Sequence, residues 1–339
     1  MMSRSPKKHP TIAPSNLLSR RRFVGSALAV PFVVTLPGSF LAQGRAPYAV
    51  VLGTAQDAGV PQVNCFNANC NAVRSGLRPA PRVASIGVVD SSAGKRFIFD
   101  ATPDFVAQVG DLLSHPVAGT AALSGSVRLE EQLHGIFLTH GHMGHYTGLV
   151  HCGREGAATR DLPLYVSPSM ASYLRNNEPW SFLLRNRHLR AIELEPGVSV
   201  QLTDAVSVTP FEVLHRQEFT DTLGFLVHGP RGDLMYVPDA DRWEDWPVPF
   251  EEWLARADVA LLDGSFFSYD ELPHRPQGEV PHPPVVVSME LLGTRLEGLE
   301  VWFTHLNNTN PLWDPASPQT ASVQAAGFGV AQQSQRFEL

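Results

Sequence analysis

Cysteine is scarce in this chain of 339 residues, which contains only Cys65, Cys70 and Cys152. Three cysteines are too few for the disulfide framework that stabilises small secreted domains. Cys65 and Cys70 are close enough in the sequence either to form a disulfide or to bind an ion together, and both alternatives stay open. Apolar residues make up 43% of the chain and charged residues 17%, which is typical of a globular protein with a sizeable core.

Tandem repeats and low-complexity linkers are also absent after residue 44. Without a repeat of about 20 to 50 residues a solenoid is excluded, and without a linker the sequence favours one large α/β domain over residues 45–339. The proline-rich segment 273–284 is better interpreted as a rigid flap over a site than as a domain boundary.

Acidic residues are absent from residues 1–44, which contain six basic ones. Removing those six from the 26 basic residues leaves 20 against 33 acidic residues, so the body has a formal charge of −13. Such an acidic body would repel a nucleic-acid backbone. We therefore expect no nucleic-acid partner.

No run near the N-terminus is long enough to span a bilayer comfortably, because the apolar stretch from Ser26 to Leu36 is too short. It follows Arg20 and Arg21, a pair that resembles the twin-arginine pattern of proteins exported after folding. We predict that residues 1–44 are an export signal read by the twin-arginine translocation machinery. The mature protein would then be periplasmic or secreted, with no stable membrane insertion after cleavage; an uncleaved membrane anchor is the alternative.

The most informative stretch is Thr139–Leu149, which reads THGHMGHYTGL and follows an apolar run. His140 and His142 are two positions apart, so at a strand end their rings project to the same side, and His145 falls on the first turn of the next element. Neutral imidazole is the commonest metal ligand in proteins, and this spacing predicts a transition-metal site. The alternative is a polar loop that happens to be rich in histidine.

Other candidate ligands also follow predicted strands. His215, Asp239, Asp263 and His305 each come directly or almost directly after an apolar run. If the strand ends gather at one edge of the sheets, as in many α/β enzymes, these side chains meet there. Helices are predicted over 103–113, 168–176 and 250–257. Strands are predicted over 48–53, 83–89, 96–100, 135–139, 164–166, 198–202, 206–214, 222–228, 233–237, 259–262 and, as the last strand, 301–304.

The segment from His140 to His145 resembles the H-x-H-x-D-H signature of the metallo-β-lactamase superfamily, with Gly144 where that family has Asp. The resemblance implies an αββα sandwich of two mixed β-sheets flanked by helices. It also implies one or two metal ions, with zinc favoured and iron or manganese as alternatives. The implied ligands are His140, His142 and His215 for the first metal, and His145, the bridging Asp239 and His305 for the second.

A narrower resemblance, to the pyrroloquinoline quinone biosynthesis protein B branch, extends over most of the chain after the signal. That branch has C-x-C-x-x-C after its Pro-Gln stretch, whereas Asn67 replaces the middle cysteine here. Its quinone-making members are cytoplasmic and typically have a degraded histidine signature, whereas this chain has a predicted export signal and a nearly complete signature. The matching segments are Leu52–Thr54, Pro61–Cys65, Asn177–Trp180, Ala257–Phe266 and His305–Pro311.

These features predict an exported metal-dependent hydrolase that acts on a small-molecule ester, lactone, lactam or phosphodiester. Asp239 and His145 are the predicted catalytic residues. The second metal site is expected to be weak because Gly144 supplies no ligand, unless a carboxylate such as Asp57 replaces it. An iron-dependent oxygenase linked to quinone biosynthesis and a non-catalytic metal- or quinone-binding protein are the alternatives. Candidate substrate contacts are Glu271, His274 and His282.

Overall fold

Two seven-stranded β-sheets form the centre of the molecule, as seen in a computed structural model that describes residues 46–119, 125, 127–246, 248–272, 281–293 and 298–339. The predicted signal, residues 1–44, and the candidate contact His274 lie outside the described residues. Residues Gly44–Leu339 form one compact unit. The strands are β1 Tyr48–Gly53, β2 Ser85–Asp90, β3 Lys95–Phe99, β4 Ile136–Phe137, β5 Leu162–Val166, β6 Leu189–Glu193, β7 Val200–Gln201, β8 Ser207–Val213, β9 Thr222–His228, β10 Asp233–Val237, β11 Val259–Asp263, β12 Glu300–Thr304, β13 Gly329–Val330 and β14 Arg336–Glu338.

The first sheet has the strand order β14-β1-β2-β3-β4-β5-β6, and the second has the order β13-β12-β11-β10-β9-β8-β7. In the first sheet β1 to β3 are antiparallel and β3 to β6 parallel. In the second, β7 to β10 are antiparallel and β10 to β13 parallel. Both sheets are therefore mixed, as predicted.

The inner faces of the two sheets pack against each other through aromatic side chains. Phe99 and Phe137, on neighbouring strands of the first sheet, stack with ring centroids 4.6 Å apart. Phe225 of the second sheet meets Phe99 edge-on at 5.2 Å. Such pairs contribute about 0.5–1.5 kcal/mol each beyond their burial. These contacts join the two sheets into one core.

Helices cover the outer faces and complete the predicted αββα sandwich. Helix α4 has the predicted bounds because Ser167 caps its N-terminus, Pro168 opens it, and Met170 and Leu174 lie on the face that packs on the first sheet. None of the helices in the described part of the chain is long and apolar enough to cross a membrane. The helices are α1 Ala68–Arg74, α2 Phe105–Ser114, α3 Met143–Tyr146, α4 Pro168–Asn176, α5 Trp180–Arg185, α6 Phe250–Leu254, α7 Val285–Leu292 and α8 Pro318–Ala325.

The prediction that 301–304 is the last strand is wrong, since β13 and β14 follow it. Strand β14 returns to the first sheet, where Phe337 pairs with Ala49 at the edge of β1. Both late strands have only two or three residues, which is too short for a pattern of alternating side chains to be visible. Their position is decided by pairing with distant strands, which the local sequence does not encode.

Candidate metal centre

The predicted ligands converge at the ends of strands from both sheets. The segment after β4 leaves the sheet because the Thr139 amide donates to the Asp100 carboxylate at 2.8 Å instead of to a neighbouring strand. This turn directs the histidine segment over the edge of the sheets. Residues that follow β8, β10 and β12 reach the same edge, and these buried side chains are His215, Asp239 and His305.

The first group of converging atoms belongs to His140, His142, His215 and Asp239, whose donor atoms all lie within 4.8 Å of one another. The Nδ1 atom of His142 is 2.8 Å from His140 Nε2 and 3.2 Å from His215 Nε2. The Asp239 Oδ2 atom is 3.3 Å from His140 Nε2 and 3.2 Å from His215 Nε2. Three nitrogens and one oxygen at this spacing suit a transition-metal cation.

Each imidazole of this group has a hydrogen-bond partner on its outer nitrogen. His215 Nδ1 donates to Asp241 Oδ1 at 2.8 Å, and His142 Nε2 donates to Glu218 Oε2 at 3.0 Å. His140 Nδ1 donates to the Thr139 hydroxyl at 3.0 Å. With the protons assigned to the outer nitrogens, the inner nitrogens present lone pairs to a common point. This arrangement orients metal ligands in known metalloproteins.

A second group lies beside the first and consists of Asp57, His145, Asp239 and His305, again within 4.8 Å of one another. Asp57 Oδ1 is 3.0 Å from both His145 Nε2 and His305 Nε2. Asp239 Oδ2 is 3.6 Å from His145 Nε2 and 3.9 Å from His305 Nε2. Asp239 therefore belongs to both groups, as expected for a carboxylate that bridges two metals.

A buried oxygen of Asp239 provides an independent test of whether a cation fits here. Asp239 Oδ1 is buried and has no hydrogen-bond partner among the described residues, although His282 Nδ1 lies 3.1 Å away. An ionised carboxylate oxygen without a partner is costly in a protein interior. Burial would raise the pKa of Asp239, but the imidazoles of His215 and His305 hold it well below its usual range. The residues present thus fit a divalent metal centre.

Comparison with known proteins agrees with this geometry. Residues 95–318 match the model of a family described as the β-lactamase superfamily domain. The chain belongs to this superfamily. The protein named coenzyme PQQ synthesis protein B from Azotobacter vinelandii is 29% identical over 314 residues, covering 85% of this chain and 99% of that one. Its namesake from Nitrosococcus oceani is 26% identical over 312 residues, covering 83% and 96%.

Solved structures show the same fold. The crystal structure of zinc-bound PqqB from Methylobacterium extorquens has a TM-score of 0.70 and 22% identity, and covers 86% of this chain and 100% of that one. A diphosphatase from the PhnP family has a TM-score of 0.60 and 20% identity, covering 86% and 97%. The predicted metallo-β-lactamase fold and the resemblance to the quinone biosynthesis branch are therefore confirmed.

His145, a predicted catalytic residue and second-metal ligand, is enclosed by two carboxylates. Its ring is fully buried, with Nδ1 2.8 Å from Asp100 Oδ2 and Nε2 3.0 Å from Asp57 Oδ1. Burial would lower the pKa of His145, but the carboxylates of Asp100 and Asp57 raise it well above its ordinary value. Its Nε2 atom faces Asp57 within the second group, and its Nδ1 atom is held by Asp100.

Two of the predicted substrate contacts, His282 and Glu271, form hydrogen bonds with other side chains of the protein. His282 is buried against the centre, with Nδ1 2.7 Å from Asp263 Oδ2. Glu271 accepts a hydrogen bond from the Thr309 hydroxyl at 2.8 Å and caps the short turn 269–271 together with Ser268. His282 thus belongs to the centre, whereas the carboxylate of Glu271 serves local structure.

Sequence reasoning missed several partners of the histidines. Asp100 accepts from Thr139 and His145, and Glu218 accepts from His142. Asp241 accepts from His215. The signals that could have found Asp100 and Asp241 are a predicted strand that ends in Asp, and a second carboxylate two residues after Asp239. Glu218 gives no such signal.

Asparagine side chains connect the loop that carries Cys65 and Cys70 to the loop around Asn308. Cys65, Cys70 and Cys152 are free thiols, and burial together with a hydrogen bond to Cys65 raises the pKa of Cys70. Asn67, at the position of the missing cysteine, donates from Nδ2 to Asn308 Oδ1 at 2.8 Å and to its backbone oxygen at 3.0 Å. An amide thus joins the two loops at the position where the related branch has a cysteine.

We expect Asn67→Asp to destabilise the protein by about 1–3 kcal/mol, because it removes two hydrogen bonds that are each worth about 0.5–1.5 kcal/mol. The aspartate keeps the acceptor that caps α1 through the Cys70 amide but loses both donors to Asn308. Urea unfolding measures the change. Asn176→Asp is the control, because Asn176 is exposed and its side chain donates to Ser172 of its own helix. Equal free energies of unfolding for the two variants would contradict the fastening role of Asn67.

Proposed function

We propose that the chain is a metal-dependent hydrolase that acts on a small-molecule ester, lactone, lactam or phosphodiester. The observation that carries this proposal is the first group of His140, His142, His215 and Asp239, whose donor atoms lie within 4.8 Å of one another. When bound there, a divalent cation supplies Lewis acidity and lowers the pKa of water from about 15.7 towards 7. Zinc is the favoured metal, because three imidazoles and a carboxylate are typical zinc ligands.

Asp239 is proposed to hold and orient the attacking water. Its Oδ2 atom faces the histidines of both groups, and its Oδ1 atom has no hydrogen-bond partner among the described residues. An ionised carboxylate at this point can accept the proton of a water molecule. Burial would raise the pKa of Asp239, but the imidazoles of His215 and His305 lower it and so favour the ionised form.

His282 is proposed to donate a proton to the leaving group. Burial would lower the pKa of His282, but the carboxylates of Asp263 and Asp239 raise it well above its ordinary value. These two carboxylates therefore stabilise the protonated form of the imidazole. Its Nδ1 is held by Asp263 at 2.7 Å, so Nε2 is the nitrogen that can give up a proton.

A second candidate function is an iron-dependent oxygenase linked to pyrroloquinoline quinone biosynthesis. It is favoured by the relatives named coenzyme PQQ synthesis protein B, which this chain covers over nearly their whole length at 26–29% identity. Imidazole and carboxylate ligands suit iron as well as zinc, so the ligand set is compatible with both candidates. The comparisons favour this second candidate, whereas the complete histidine set favours hydrolysis.

The experiment that decides between them combines metal analysis with two assays on the purified full-length chain. We expect at least one zinc per chain, hydrolysis in a panel of ester, lactone, lactam and phosphodiester substrates, loss of activity with a chelator, and recovery with zinc. Iron-dependent oxygen consumption without hydrolysis would replace our proposal by the second candidate. Bound metal without either activity would identify a binding protein.

We also propose that the protein is exported by the twin-arginine pathway, on the strength of Arg20 and Arg21 before a short apolar run. Replacing both by lysine is expected to retain the protein in the cytoplasm at normal folded levels, because the receptor reads the arginine pair and the fold does not. Cell fractionation measures the distribution, with Arg4→Lys as control. Normal periplasmic levels of the doubly substituted protein would refute this route.

A further inference from the structure

Gly144 departs from the H-x-H-x-D-H signature, and the space around it shows why. A Cβ atom placed on Gly144 would lie 2.6 Å from the Cα, Cγ and Oδ1 atoms of Asp57. Real Cβ atoms do not approach other atoms so closely, so a larger residue at 144 requires Asp57 to move. Helix α3 does not need the left-handed backbone that favours glycine at this position. Gly144 is therefore explained by the close approach of Asp57.

The Asp57 carboxylate fills the volume that a side chain at position 144 would take. Its Oδ1 atom is 3.0 Å from His145 Nε2 and 3.0 Å from His305 Nε2, and its Oδ2 atom is 3.4 Å from the Gly144 amide nitrogen. The residue is 9% exposed. A carboxylate from the loop after β1 thus faces the two histidines of the second group.

The backbone that carries Asp57 is fixed relative to His305. Ala55 forms isolated bridges to both Val83 and Leu306. The Gln56 amide donates to the Leu306 oxygen at 3.0 Å, and the Leu306 amide donates to the Thr54 oxygen at 2.8 Å. Asp57 and His305 are therefore held by paired segments, which places the carboxylate in a defined position before any ion binds.

We propose that Asp57 is a ligand of the second metal and replaces the carboxylate that the signature has at position 144. The second site is then complete, with two imidazoles and two carboxylates from His145, His305, Asp57 and Asp239. The anionic charge missing from position 144 is supplied by a residue 87 positions earlier in the chain. The second site therefore binds its metal tightly, and our expectation of a weak one is reversed. This inference rests on the proposed metal centre and is independent of hydrolysis.

The test removes the carboxylate at position 57, or moves it to position 144, and measures the metal content of each variant. The purified full-length protein is equilibrated with buffered zinc, and zinc per chain is determined by mass spectrometry; titration with cobalt(II) gives a second readout in the visible spectrum. We expect two metals per chain for the natural protein. Asp57→Asn, which is nearly isosteric, should lower the affinity of the second metal by at least ten-fold. Asp204→Asn, at an exposed turn, is the control and should bind two metals.

Substitutions at positions 57 and 144, alone and together, show whether the two positions are interchangeable as the source of the carboxylate. Gly144→Asp alone should not raise metal binding, because the space is occupied by Asp57. Asp57→Gly alone should bind one metal per chain, and Asp57→Gly with Gly144→Asp should regain the second. Tight binding of two metals by Asp57→Asn, or only one metal in the natural protein, would overturn the inference. Two metals without hydrolysis would refute the proposed function and leave the inference standing.

Discussion

His140→Ala is expected to abolish metal binding at the first group and with it any hydrolysis. The Nε2 atom of His140 lies 2.8 Å from His142 Nδ1 and 3.3 Å from Asp239 Oδ2, so it is one of four atoms that define the site. Removing a residue that only hydrogen-bonds to a metal ligand typically lowers metal affinity or activity by about 10–100-fold. Removing the ligand itself is expected to lower both further. Metal content and kcat/KM measure the result.

The control for this variant is His151→Ala, which removes an exposed histidine from the turn directly after the same motif. It should retain the metal content and turnover of the natural protein. Circular dichroism shows whether His140→Ala is folded, and His140→Gln provides a polar replacement if the alanine variant unfolds. Full occupancy of both sites in a folded His140 variant would remove this residue from the ligand set.

The fold and most of the centre could be predicted because their signals are local. The spacing of His140, His142 and His145 is visible within six residues, and His215 and Asp239 follow long apolar runs. Strand β8 is seven residues long, which is enough for its pattern to be visible. Helix α4 begins with a serine cap and a proline, which are recognisable start signals. For such elements the tertiary structure adds nothing that contradicts the sequence.

The remaining parts depend on contacts between distant segments. Asp57 meets His305 across 248 positions of the chain, and Glu218 meets His142 across 76. Neither carboxylate follows a strand directly, so no periodic pattern marks it. In the sequence, Gly144 marks a missing ligand, and Asp57 is named only as a carboxylate that could replace it. The physical meaning of Gly144, space for another side chain, depends on where the loop after β1 lies.

The arrangement around Asp239 separates residues that hold metals from a residue that moves protons. The histidines of both groups have outer nitrogens fixed by Asp100, Asp241, Glu218 or a hydroxyl group. His282 is held through Nδ1 by Asp263 at 2.7 Å, and the same nitrogen lies 3.1 Å from Asp239 Oδ1 and 3.3 Å from the Ser265 hydroxyl. We propose that His282 transfers protons; the alternative, a metal ligand in a third group with Asp239, Asp263 and His305, is tested by the variant below.

His282→Gln is therefore expected to lower kcat by about 10²–10⁴-fold, the usual contribution of a positioned general acid, while both metals stay bound. Metal content and kcat are measured on the same preparation. Asp263→Asn should lower kcat as well, because the neutral amide no longer stabilises the protonated imidazole of His282. A substrate whose leaving group needs no proton should be hydrolysed by His282→Gln at nearly the natural rate, an effect that a purely structural role would not produce. Loss of a metal in His282→Gln would instead make this histidine a ligand, as its proximity to Asp239 and His305 would then indicate.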